Sequence, residues 1–306
     1  MIGSPGWCVD LGMNIELLVD AHATIGESPL WDPDRGMLYW VDIKAPALYR
    51  TDPASGTTER WALPAEVGAF ALMEGEVALV ALRTGLFALS CGDGSLEPIA
   101  PAPFDQALFR FNDGACDPVG RFWIGTMFDP VPAQRDAPRQ QGPLRMWSGA
   151  TGLVDRGEPS ALHNGIDWSA DGGTLYISHS YEHQIFAYTY DTVAGALGAR
   201  RDFVRTEGDG IPDGAAIDEE GTYWCAMHGT GCLRRYGPDG TLLREIALPV
   251  SQPTMCTFGG PDLRTLFVSS AAQKLGPEQL AKEPHAGGLF KLEPGVRGAP
   301  KPYRAR

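Results

Sequence analysis

Residues Leu162–Ser180 read LHNGIDWSADGGTLYISHS: a polar residue beside a glycine, a tight turn, then a strand-like run. The same grammar stands earlier as RFNDGACDPVGRFWIGTM at Arg110–Met127 and later as IPDGAAIDEEGTYWCAMHG at Ile211–Gly229. Six such runs recur, MLYWVDI from Met37, EVALVAL from Glu76, RFWIGTM from Arg121, TLYISHS from Thr174, TYWCAMH from Thr222 and TLFVSSA from Thr265. Counted from Leu38, Val77, Phe122, Leu175, Tyr223 and Leu266, successive copies lie 39, 45, 53, 48 and 43 residues apart. A second strand follows each in step, as in ALYRTDP from Ala47, QIFAYTYD from Gln184 and GGLFKLEPG from Gly287. Hairpin-turn chemistry such as CGDG and GPDG follows several of them. Two strand motifs in phase, six times over, predict an all-β fold, a six-bladed β-propeller with about four antiparallel strands per blade. A sandwich has no need of phase-locked copies, and a βαβ fold would show helical crossovers.

No composition break divides the repeats, so residues 14–306 are expected to form a single propeller domain. The patterned sequence begins near Asn14, which leaves residues 1–13 as a loose N-terminal extension. The Pro-rich stretch FDPVPAQRDAPRQQG, residues 128–142, reads as a surface loop of the third blade, and GPEQLAKE, residues 276–283, as a short helix. With 43% apolar residues the chain can build a sizeable core, and its formal charge of −13 excludes nucleic acid and anionic membranes as natural partners. No apolar run reaches the ~18 residues of a membrane span. The N-terminus lacks the basic head and continuous apolar stretch of a signal peptide. Six cysteines, Cys8, Cys91, Cys116, Cys225, Cys232 and Cys256, form no CxxC pair, which fits a reduced, cytoplasmic protein. No segment marks an obligate protein partner.

The repeat also carries oxygen atoms. Asp32, Asp117, Ser169 and Asp218 open the turns of four blades, and five positions before them stand Glu27, Asn112, Asn164 and Asp213. In a propeller the strand before each turn is the innermost, so these residues fall at the mouth of the central channel. The nearest equivalents in blades two and six, Ala69 and Met255 or Thr254, do not ionise. Two carboxylates and two carboxamides facing one axis suit a hard or borderline divalent ion, Ca, Mg, Mn, Fe or Zn. Three protein ligands would leave positions open for water and substrate, as in a catalytic site. Asx–Gly pairs also form turns unaided. Spacing alone leaves the two readings level.

Across GESPLWD, YWVDI, RFNDGACDPVGRFWIGTM, NGIDWSADGGTLY, IPDGAAIDEEGTYW, CTFGGPDLRTLFVSSA and AGGLFKL, the chain resembles the regucalcin/gluconolactonase family, nearly throughout from Leu17 to about Leu292. Bacterial sugar-acid lactonases are the most similar members. The resemblance implies a six-bladed propeller that hydrolyses a small-molecule sugar lactone with one divalent ion. It implies Glu27, Asn164 and Asp213 as metal ligands, Asp213 as general base, and Arg110 and Asn112 as residues holding the lactone. Three departures touch substrate preference: Pro130, with Asp129 beside it, stands where some members carry an acidic contact, His179–Ser180 replaces a common Asp–Ser, and His228 replaces an Asn. Lone His163, His179 and His228 lack metal-ligand spacing and read as hydrogen-bonded wall residues. The rival readings are a ligand- or calcium-binding propeller without catalysis, and a metal-dependent hydrolase of another ester.

Overall fold

Strands make up nearly all the regular structure of the computed structural model, which describes residues 8–10, 12–206, 208 and 210–306. They form six sheets of four antiparallel strands each, the blades of the expected propeller, with one further strand added parallel at the edge of blade five. Blade one runs Gly26–Asp32, Met37–Asp42, Ala47–Thr51 and Thr58–Ala62, each strand paired with the next. The innermost strands of the six blades are Gly26–Asp32, Val67–Leu72, Phe109–Cys116, His163–Trp168, Ile211–Ile217 and Pro253–Gly259. They pack on one another around the axis and are buried along almost their whole length. That explains their composition: a strand covered on both faces needs small and apolar residues and cannot alternate. Gly68 shows how close the fit is, since a Cβ there would sit 2.0 Å from the Phe111 carbonyl oxygen on the neighbouring blade.

The turn-opening aspartates bind their own turns. Asp32 accepts from the amides of Asp34 and Arg35, Asp117 from those of Val119 and Arg121, and Asp218 from those of Glu220 and Thr222. All three are wholly buried, and each is paired with an arginine, Arg35, Arg121 or Arg235. A buried carboxylate satisfied by amides and a guanidinium fixes the hairpin between the first and second strands.

The ring closes by a strand the repeat does not announce. Ile15–Val19 pairs antiparallel with Leu289–Leu292 and so becomes the outer strand of blade six. Within the segment expected to be a loose extension, Cys8–Asp10 runs parallel to Leu242–Ala247 at the edge of blade five; residues 1–7 and 11 lie outside the described residues. The expected short helix spans Pro277–Lys282. Past the last blade, residues 297–306 form a strap across the face where the inner strands end. Its backbone bonds reach blade five at Ile217 and Glu219, blade six at Leu263, blade two at Leu72 and blade three at Gly120. Lys301 projects inward from it to Asp167, Nζ to Oδ2 3.2 Å. No helix among the described residues is long and apolar enough to cross a membrane.

Candidate functional site

Each inner strand breaks register near its start. The breaks fall between Glu27 and Leu30, Val67 and Ala69, Asn112 and Gly114, Asn164 and Asp167, Pro212 and Ala215, and Pro253 and Met255. A bulge re-aims the side chains beside it. Glu27, Asn112, Asn164 and Asp213 all stand at these breaks, so the equivalence inferred by counting back from the turns is a structural one. Blade six offers Thr254, whose hydroxyl donates to the Gly26 carbonyl at 2.5 Å. The backbone turns left-handed at two points: Ser28, directly after Glu27, has φ +52° and is strained, and Gly165, directly after Asn164, has φ +59°, which glycine adopts freely. Left-handed serine costs on the order of 1 kcal/mol and gathers at sites where it aims a neighbour.

The side chains join across blades. Asn112 Nδ2 donates to Asn164 Oδ1 at 2.5 Å and to the His163 carbonyl at 2.9 Å. Asn164 Nδ2 donates to Ser180 Oγ at 2.9 Å, and Ser180 Oγ donates to the Pro212 carbonyl at 2.7 Å. This chain of bonds ties Asn164 to the backbone adjoining Asp213. Arg110 Nη1 donates to Asn112 Oδ1 at 2.7 Å, and its Nε to Asp129 Oδ2 at 2.9 Å. Unlike Asp32, Asp117 and Asp218, the four residues at the breaks do not bind the hairpin turns.

Glu27 and Asp213 are buried together with Asp113. Burial, then the Asp113 charge, push Glu27 up to about 8, against the Ser28 amide and Arg110. Burial, then Glu27 and Asp113, raise Asp213 well above the ordinary carboxylate range. Glu27 Oε2 accepts from the Ser28 amide at 2.7 Å, its one hydrogen bond among the described residues. Asp113 Oδ2 accepts from the Ile166 amide at 3.0 Å, while its Oδ1 is buried without a partner. Carboxyls raised by burial first, and for Glu27 and Asp213 by neighbouring carboxylates as well, suit a cation. Among the described residues no three His, Cys, Asp or Glu side chains group as a ligand set. A cation at Glu27 and Asp213 would take its third oxygen from the Asn164 carboxamide, and this oxygen-only donor set fits a hard divalent ion.

The rim is cationic. Asp129 accepts from Lys44 at 2.8 Å, Arg83 at 3.1 Å and Arg110, and Glu66 pairs with Lys44 and Arg83 at 2.7 and 2.5 Å. Burial alone would raise Asp129, but Arg110 and Lys44 outweigh it and hold the carboxyl at about 2. Asp129, next to Pro130, thus serves to fix Arg110. His163 is a wall residue: its Nδ1 accepts from the Thr126 amide at 3.2 Å and its Nε2 lies 3.0 Å from the Glu158 carbonyl. Burial and His179 drive it down to about 3, so it stays neutral. Sequence reading does not single out Asp113, Lys44, Glu66 or Arg83. Asp113 was visible only as the residue after Asn112, and the rim group joins residues from three blades with no common spacing.

A sequence profile of the SMP-30/gluconolactonase/LRE-like region matches residues 25–272. The chain is 38% identical over 295 residues to a 6-deoxy-6-sulfogluconolactonase of Pseudomonas putida, covering 95% of this chain and 98% of that protein. Regucalcin of Gallus gallus is 35% identical, with the same two shares covered. Among solved structures, a calcium-binding regucalcin of Agrobacterium tumefaciens superposes with a TM-score of 0.88 at 30% identity, covering 95% of this chain and 98% of that chain.

Proposed function

The chain belongs to the SMP-30/gluconolactonase/LRE-like family, and from that premise we propose that it hydrolyses the lactone of a sugar acid to the open acid, with one divalent cation held by Glu27, Asn164 and Asp213. The observation that carries this reading is geometric: Glu27, Asn164 and Asp213 all stand at the register breaks of their inner strands, and Asn164 is bonded through Ser180 to the Pro212 carbonyl beside Asp213. When bound, a divalent ion there supplies a Lewis acid that polarises the lactone carbonyl and eases deprotonation of water. The residues of the chain do the rest.

Asp213 takes the proton from the water that adds to the carbonyl carbon. The ring C–O bond then breaks, and the ring oxygen takes that proton from Asp213 and leaves as a hydroxyl. Arg110 is held at Nε by Asp129 and at Nη1 by Asn112, so it meets the sugar hydroxyls already oriented. Asn112 links this arm to Asn164, which keeps the sugar and the cation in fixed register. A reducing compartment such as the cytoplasm suits the five described cysteines, all buried and unpaired.

Proton release from gluconolactone, xylonolactone, arabinonolactone and galactonolactone, followed above spontaneous hydrolysis, tests the reading. Turnover should vanish on chelation and return with a divalent ion. A folded, ion-supplied protein that hydrolyses none of them would leave a binding propeller in its place. Turnover indifferent to chelators would remove the cation.

A further inference from the structure

We propose that the face opposite Glu27 carries a second small-molecule site, shaped for an organic anion with an apolar body. A cavity of about 710 Å³ lies between blades one and six beneath the C-terminal strap, within the roughly 300–1,000 Å³ of ligand pockets. Trp31 and Phe267 form its apolar floor, with ring centroids 6.0 Å apart and planes 18° from parallel. Phe258 and Leu263 continue that surface. Trp31 stands four residues beyond Glu27 on the same inner strand, past the register break between Glu27 and Leu30 and one residue before the strand ends at Asp32. The cavity therefore opens away from the Glu27 centre.

Three cations, Lys291, Arg297 and Lys301, line the cavity against one carboxylate, Asp52. Asp52 is engaged within its own turn, accepting from the Ala54 amide at 2.9 Å and from Ser55 Oγ at 2.7 Å. Lys291 pairs with Glu16 at 3.3 Å and Lys301 with Asp167 at 3.2 Å. Arg297 is exposed to solvent at the edge of the cavity, and its guanidinium pairs with no protein group among the described residues. Nor does the hydroxyl of Thr257, a residue only 4% exposed that lines the same cavity. An unpartnered guanidinium and an unpartnered hydroxyl beside an aromatic floor suit one chemistry. A planar or aliphatic body lies on Trp31 and Phe267, and its acid group accepts from Arg297 and Thr257. Lactone hydrolysis requires nothing from this face.

The full chain is titrated with 1-anilinonaphthalene-8-sulfonate, and in parallel with N-phenyl-1-naphthylamine, which has the same body without the acid. One saturable sulfonate site per chain is expected, with the neutral probe about tenfold weaker. Arg297→Ala should weaken the sulfonate about tenfold by removing a charged hydrogen bond. Ala54→Trp, an exposed lining position, should block it by filling the cavity. Both variants should melt and hydrolyse lactone as the parent does. Equal binding of the two probes, binding untouched by both variants, displacement by a sugar lactone, or no saturable binding would each overturn the proposal.

Discussion

Asp213 and Asp218 are five residues apart and do opposite things. Asp218 is satisfied by two amides, a hydroxyl, an indole and a guanidinium, whereas Asp213 is buried among carboxyls that raise it. Activity and stability should therefore move in opposite directions in Asp213→Asn. Turnover should fall about 10²–10⁴-fold, the usual worth of a general base, while the chelated protein melts no lower than the parent. Asn112→Ala cuts the link between Arg110 and Asn164, and should raise KM about tenfold with a smaller change in kcat. The pH dependence of stability follows from Glu27. Its carboxyl is raised to about 8 when folded, so its contribution is full below the unfolded value and lost as pH rises through about 8. Burial depresses His163, His179 and His228 instead, and these act only below their unfolded value of about 6.5. Between about pH 6.5 and 7.5 the carboxyls set the slope, and toward about 8.5 the buried cysteines, raised by burial, add to it in the same direction. Melting temperature in chelator should drop by several degrees across that window, and a divalent ion should flatten the drop.

The register breaks were partly legible and partly hidden. Counting five back from Asp32, Asp117, Ser169 and Asp218 finds Glu27, Asn112, Asn164 and Asp213, because turn and bulge are separated by a fixed length of inner strand. Strand pairing across Asn112–Gly114 and Asn164–Asp167 decides which neighbours also turn inward, and a single sequence carries no trace of that. Asp113 was missed for this reason, although its unpartnered Oδ1 makes it the most exacting carboxylate near the channel. The rim network of Lys44, Glu66, Arg83 and Asp129 was invisible for another: its members come together only when three blades are set side by side. Gly68→Ala tests how closely they are set. A methyl 2.0 Å from the Phe111 oxygen should cost about 1–3 kcal/mol or more, read as a lower urea midpoint. Ser28→Gly should relax the left-handed turn after Glu27, gaining up to ~1 kcal/mol in stability while loosening the hold of Glu27 on a cation in titration.

At the scale of the molecule, six blades were legible from phase alone, because two strand motifs recur in step six times and four of the hairpins repeat their turn chemistry at the same place. The closure was not. Ile15–Val19 reads IELLV and contains no turn residue to tie it to Leu289–Leu292, so only the three-dimensional pairing shows the two ends of the chain sharing a blade. Deleting residues 1–20 should leave the edge at Leu289–Leu292 bare, with loss of cooperative melting and aggregation on light scattering. The shared blade also bears on manufacture in the cell. At ~5–20 residues per second, the opening strand leaves the ribosome roughly 15–50 s before its mate. Throughout that interval the nascent protein is an arc with two sticky ends, and a chaperone that shields the first until the last arrives would decide the yield.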